Sequence, residues 1–438
     1  MVVSRDKNPT AQETFLQMAQ AAGLRGRILI SIGLLIFVRL GIFIPIPGID
    51  RARFAADTAN SAVYGFLNIF SGGGFSTLGV FALGIIPYIN ASIIIQLLTT
   101  ALPSLENLQK NEGEAGRRKI AAITRYIALG WSIIQSTGLT LGILSKYSLQ
   151  PSIWFDVGTI IALCSGSMLI MWISELITEK GIGNGASLLI FVNIVAVLPQ
   201  TLGNTIQFAQ SGGREAIAQV GILLLVFLVM IVSIVFVQEG TRRITIIFAR
   251  RQVGRRLYRE RTSYLPLRLN QGGVMPIIFA SAVLILPTSL AGFLKGSNPF
   301  SKFLIEFSNY VQPGGWPYVV FYSVLILFFS YFYASLIFQP DDVSKNLKKM
   351  GASIPGKRPG EATSRYLTTV SNRLTLLGAI FLSIVATVPT LVESATGVSS
   401  FRGFGATSLL ILVGVAIDTA KQIQTYVISQ RYEGMVKQ

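Results

Sequence analysis

Catalysis and metal binding need side chains that this sequence scarcely has. Histidine is absent and Cys164 is the only cysteine, so no zinc site, histidine base or intrachain disulfide can be assembled. Cys164 lies among Ala162, Leu163 and Ser165, where a thiol packs as a small hydrophobe rather than serving as a nucleophile. Glu175 and Asp418 fall at the ends of expected helices, not in the middle of an apolar run. Gly72, Gly73 and Gly74 follow Ser71 without the lysine and helix start that a phosphate-binding loop requires. No catalytic residue, metal or cofactor is therefore expected.

Arginine is the side chain in surplus. The net charge is +17, and nine arginines stand in residues 239–268 against only Glu239 and Glu260. Apolar and polar residues alternate around Ile244–Phe248, which predicts a short hairpin projecting from a membrane surface. Retention of basic residues beside membrane helices explains part of this charge. It does not call for such density, and the planar guanidinium suits phosphate, so docking to RNA or to an acidic protein surface accounts for it better. A second loop, residues 340–373, contains PGKRPGE (Pro355–Glu361), whose prolines and glycines form a rigid turn that presents Lys357 and Arg358.

The elements that position these loops are membrane helices. The chain is 51% hydrophobic and 13% charged, the balance of a membrane protein. No charged side chain occurs from Thr58 to Leu105. An apolar helix of about 20 residues already crosses a bilayer, so this stretch is roughly two spans long. Glycine divides it. Ala62–Ser71 is about half a crossing long, and Gly72–Gly74 then break the helix. Phe81–Leu102 is a full crossing with Asn90 and Gln96 inside it, and Ile85 and Ile89 share one of its faces. A short helix hung by glycines beside a full one suggests a movable element, because irregular backbone at membrane depth must be buried in protein or line a cavity.

Further spans are expected near Arg27–Pro47, Ile123–Ser145, Ile153–Ile173, Ala186–Leu202, Ile217–Val237, Gly272–Phe293, Pro317–Phe338, Leu374–Leu391 and Gly405–Ile428, ten in all. Arg39 lies inside the first, where a charge needs a protein partner or a route to the interface. With the N terminus in the cytoplasm, that side holds 29 lysines and arginines against 7 outside, so both termini face inward. The expected organisation is a cytoplasmic amphipathic segment (1–24), an N-terminal half (25–203) with the hinged helix near 62–74, and an external hinge (204–215). A C-terminal half (216–428) carries the basic loops 239–268 and 340–373, and a cytoplasmic tail (429–438) follows. Five spans in each half give the halves opposite orientations, which permits an inverted repeat with a path between them.

FSGGG, FALGIIPYINASIIIQLL, EGEAGRRKI, GIGNGASLLIF, MPIIFASAVLILP and TSLLILV resemble, in order, segments of SecY, the channel subunit of the Sec protein translocase. The finer detail is similar to cyanobacterial and plastid members. The resemblance implies an all-α polytopic membrane fold, ten transmembrane helices in two inverted pseudo-symmetric halves around a central pore. It implies a protein-conducting channel that passes unfolded polypeptides and releases membrane helices sideways into the lipid bilayer. The family's pore ring falls on Ile85, Ile89, Ala186, Ile190, Ile278 and Ile411, with Ala186 smaller than the family's choice. Its plug falls on Phe66, Leu67, Asn68, Ile69, Phe70, Ser71, Gly72 and Gly73. Its lateral gate lies between the second and seventh helices, where Asn90, Gln96, Ser281 and Thr288 are the candidate polar groups; plain helix–helix hydrogen bonding explains each of them equally well. Ribosome and SecA docking falls on Arg250, Arg251, Arg255, Arg256, Lys357 and Arg358. Implied partners are SecE, SecG, the SecA ATPase, the ribosome through its RNA, signal peptides and nascent chains. The implied home is the bacterial plasma membrane or, in a photosynthetic cell, the thylakoid membrane.

Two other classes compete. A secondary transporter shares the helix number and the inverted halves, but a proton relay needs ionisable groups at mid-membrane; a sodium site built of backbone carbonyls stays open. An intramembrane protease needs paired aspartates, a serine with histidine, or zinc, and the sequence offers none of these at membrane depth.

Overall fold

The structure is a computed structural model of the 438-residue chain and describes residues 22–58, 68–110, 112–248, 251–253, 256–258, 261–293, 306–307, 315–396 and 406–436. A helix stands at each expected crossing: α1 Ala22–Gly41, α2 Ile86–Ala101, α3 Gly113–Gly142, α4 Ile153–Lys180, α5 Gly185–Ser211, α6 Gly213–Glu239, α7 Met275–Phe293, α8 Trp316–Ile337, α9 Glu361–Thr396 and α10 Ala406–Val436. Of these, α4, α5, α6, α8 and α9 are each long and apolar enough to cross a bilayer alone, and α2 reaches that length and apolarity only together with the short helix after it, from which it is bent by 105°. The bend falls at Leu102, whose extended backbone is what the following Pro103 demands. Large apolar side chains such as Leu225, Leu228 and Phe236 on α6 face outward, as lipid-facing positions should. The chain is a multi-pass helical membrane protein.

Helix ends depart from the expected bounds where polar residues extend a helix beyond the apolar run. The start of α3 lies ten residues before Ile123, because GEAGRRKI continues the helix into the aqueous phase. The end of α5 lies beyond Leu202, past Pro199, at Ser211. The hinge expected over 204–215 therefore shrinks to the turn at Gly212 and Gly213 that separates α5 from α6. Asp418 is not at a helix end, since α10 runs on to Val436.

Packing repeats between the halves. In the first, α1 packs on α4, α2 on α3, α3 on α4, and α4 on α5; in the second, α6 packs on α9, α7 on α8, α8 on α9, and α9 on α10. This is the same adjacency shifted by five helices, as a repeated unit requires. The halves join along α5, which meets both α6 and α10, and again where α3 meets α7. Among the described residues, α2 and α7 share no extended interface.

The expected hairpin is present in longer form. β1 (Thr241–Phe248) pairs antiparallel with β4 (Arg261–Arg268), and its tip carries a second ribbon of β2 (Arg251–Val253) and β3 (Arg256–Tyr258). Ile244 and Ile246 on β1 are buried while Arg243 and Thr245 are exposed, the alternation that puts one strand face on a core. A strand not foreseen in the sequence, β5 (Ala352–Ser353), pairs with the other edge of β1. Through it the two basic loops share one small core that includes Ile244, Leu267, Ile354 and Leu367.

Candidate functional site

The apolar cluster that holds the expected ring begins with how α2 and α5 start. Gly84 has a positive φ of 56° and turns the chain so that the Ile89 amide donates to the Ile85 carbonyl at 3.1 Å, closing one helical turn with both side chains on one face. Asn184 caps α5, its side-chain oxygen accepting from the Ala186 and Ser187 amides at 3.0 and 3.3 Å. That start presses against α4: a Cβ on Gly185 would lie 1.9 Å from the Ser174 carbonyl oxygen, so only glycine fits. Ile85, Ile89, Ile190, Ile278 and Ile411 are 1%, 8%, 2%, 4% and 0% exposed and belong to one buried apolar cluster fed by both halves. Ala186 is half-buried and packs against its margin.

The segment before Gly72 seats on this cluster. Ile69 and Phe70 are members of it, and the Phe70 carbonyl lies against Gly84, where an added Cβ would sit 3.5 Å away. The same carbonyl accepts from Asn193 Nδ2 at 2.8 Å; Asn193 is buried on α5, three residues after Ile190. Arg39 of α1 donates to the Gly72 carbonyl, which supplies the intramembrane charge with a partner. The turn itself is tied by Asn68, whose carbonyl accepts from the Gly73 amide at 2.8 Å and whose side-chain oxygen accepts from the Ser76 amide at 2.9 Å. Phe66 and Leu67 lie outside the described residues.

Among the described side chains, no hydrogen bond joins the polar residues singled out on α2 to Ser281 on α7. Ser281 donates to the Ile278 carbonyl of its own helix at 2.9 Å. Asn90 is buried. The Gln96 amide meets the Tyr333 hydroxyl on α8, a partner the sequence did not suggest, while Gln96 Oε1 is buried and unpaired. The Thr288 side chain is outside the described residues.

Among the docking residues, Lys357 lies 5.5 Å over the Tyr366 ring, and Arg358 is exposed with its carbonyl accepting from Thr363 Oγ1 at 2.8 Å. Arg251 and Arg256 sit in β2 and β3 at the ribbon tip; their side chains, and Arg250 and Arg255 entirely, are outside the described residues. The carboxylates that a transporter would use are engaged by cations. Glu175 pairs with Arg125 at 3.0 Å and Asp418 with Arg268 at 3.6 Å.

Long helices whose adjacency repeats between two like halves, packed around one buried apolar cluster on which the segment before Gly72 is seated, define a class: polytopic helical membrane proteins. Sequence comparison narrows the class. The SecY family model matches residues 79–420, and the chain belongs to the SecY family. It is 72% identical to the protein translocase subunit SecY of Synechocystis sp. and 66% identical to that of Synechococcus elongatus, each over the full length of both chains. Among solved structures it is similar to a protein-conducting channel, with a TM-score of 0.64 and 15% identity over 96% of this chain and 94% of the other. It is similar as well to a SecY protein whose plug domain is described as stabilising the closed state and maintaining a membrane seal, with a TM-score of 0.63, 16% identity and the same coverage. Canine Sec61, solved in a ribosome–channel complex, has a TM-score of 0.60 and 15% identity over 96% of this chain and 94% of that one.

Proposed function

We propose that this chain is a protein-conducting channel whose waist is the ring of Ile85, Ile89, Ile190, Ile278 and Ile411, bordered by Ala186, and whose plug ends in residues 68–73. The observation that carries this is the burial of the five isoleucines in one apolar cluster together with Ile69 and Phe70. Aliphatic side chains exclude water from a narrow waist, and so ions, yet form no strong bond to a passing peptide. Unlike polypeptides therefore slide through one ring. Sideways release into lipid runs between α2 and α7, which share no extended interface among the described residues and so leave a seam to part; Asn90, Gln96, Ser281 and Thr288 are the candidate polar groups of these two helices.

The channel is a conduit, not an enzyme. The push comes from a docked ribosome or from SecA, held by Arg250, Arg251, Arg255, Arg256, Lys357 and Arg358 on the joined cytoplasmic loops; SecE and SecG complete the assembly. Both termini lie in the cytoplasm, and the home is the plasma or thylakoid membrane of a photosynthetic bacterium. The test is to stall a nascent secretory chain in the assembled complex with photocrosslinkers in place of Ile89 and Ile278. Adducts at both positions, absent from lipid-facing Leu225, are expected. Labelling at Leu225 alone would defeat the proposal.

A further inference from the structure

We propose that Arg39 and Asn193 are positioning residues that latch the plug hinge to the N-terminal half, so that widening of the ring and release of the plug are separable steps; this rests on residues 68–73 being the end of the plug. Two side chains from different helices grip two carbonyls on either side of Ser71: Asn193 holds Phe70 and Arg39 holds Gly72. Among the described residues no carboxylate pairs with Arg39. The Phe43 ring lies 5.8 Å from its guanidinium, and the Gly72 carbonyl is the hydrogen-bond acceptor that offsets its burial.

The hinge is shaped to be held this way. Gly72 and Gly73 have φ of 65° and 92°, angles that turn consecutive carbonyls and that side chains with a Cβ rarely adopt. A methyl group on Gly72 would stand 2.5 Å from Asn193 Oδ1 and 2.9 Å from the Arg39 guanidinium, so the three residues meet at one point. A bond from a charged donor is stronger than a neutral one, and an amide left without its partner in a buried site keeps the full cost of desolvation.

The location gives the latch its meaning. Arg39 and Asn193 lie on α1 and α5, in the same half as Ile85, Ile89 and Ile190, whereas Ile278 and Ile411 lie on α7 and α10. Parting of the halves moves Ile278 and Ile411 away without pulling on either bond. The plug then stays seated until something displaces the Phe70 and Gly72 carbonyls from their donors.

The test uses the full-length chain with its companion subunits in sealed vesicles, reading resting halide efflux and labelling of a single cysteine at position 70 in a Cys164→Ser background. Asn193→Asp keeps size and, held ionised by the neighbouring Arg39 guanidinium, has no proton to donate to the Phe70 carbonyl, and Arg39→Met removes the charge. Each is expected to raise efflux about tenfold, the factor that follows from one lost buried hydrogen bond, and to expose position 70 at unchanged melting temperature. Arg39→Lys, which keeps a donor, should restore most of the seal. Should Arg39→Met fail to fold, Asn193→Asp alone decides the matter. In a chain lacking residues 66–70, Asn193→Asp should add nothing to the leak. Tight vesicles from both variants, beside a leaking deletion, would overturn the latch and leave the plug standing. A further increase from Asn193→Asp in the deletion background would also overturn it, placing Asn193 in the ring's packing instead. A tight deletion would overturn the plug itself.

Discussion

At the scale of single residues, the isoleucines have to be chosen for what they do not do. Each of the five is almost wholly buried, and if they form the proposed ring, a polar atom introduced among them would give water a foothold there. Ile278→Asn is expected to raise resting ion conductance several-fold with the fold retained, as read by single-channel recording; a channel as quiet as the parent would show that the seal lies elsewhere. Gly185 answers to a different constraint. A methyl there would overlap the Ser174 carbonyl oxygen, so Gly185→Ala must push α4 and α5 apart. The expected cost is about 1–3 kcal/mol in denaturant unfolding, as for other overpacked sites. No loss at all would mean that the two helices are less closely apposed than they stand here.

Elements were legible in the sequence to the degree that their physics is local. Ten apolar runs, the hairpin around Ile244 and the glycine break after Ser71 each announce themselves by composition or period, and each is found. The misplaced ends have a common cause: polar residues mark the edge of an apolar run but not the end of a helix, so GEAGRRKI and the segment after Leu202 continue as helix beyond it. What stayed hidden was long-range pairing. Nothing in FVNIVAV says that Asn193 reaches Phe70, 123 positions away, although a lone asparagine in an apolar span is a signal that some partner exists. Likewise Ala352 and Ser353 carry no strand pattern, yet they complete a sheet that joins both basic loops. That union bears on docking. If the two loops present one surface, Arg256→Glu and Arg358→Glu should each weaken ribosome binding and each lower the slope of log affinity against log salt by about 1. Because each mutation already loosens the contact made by the other, their combined effect should fall short of the sum of the two. Binding measured over a salt series decides it; simple addition would mean that each loop binds by itself.

At the scale of the whole molecule, two halves with the same helix adjacency are fastened along α5 and left less fastened at the front, where α2 and α7 share no extended interface among the described residues. The proposed opening is by parting at this edge, where the described residues of α2 and α7 are packed together less than α5 is with α6 and α10. Near there Gln96 of α2 reaches the Tyr333 hydroxyl on α8, a contact between two side chains. Because Cys164 is the sole cysteine, a Cys164→Ser chain is a clean background for a pair of cysteines, one on α2 and one on α7, joined by linkers of chosen length. Short linkers should stop both the sideways release of a membrane helix and the passage of a secretory chain, and a linker long enough to admit a helix, about 10 Å in diameter, should restore both. Tyr333→Phe, which removes only the hydroxyl that Gln96 reaches, should shift the same equilibrium the other way and speed sideways release. If the shortest linker leaves translocation at its ordinary rate, the halves do not part between α2 and α7, and the path into lipid has to be sought at the junction of α3 with α7.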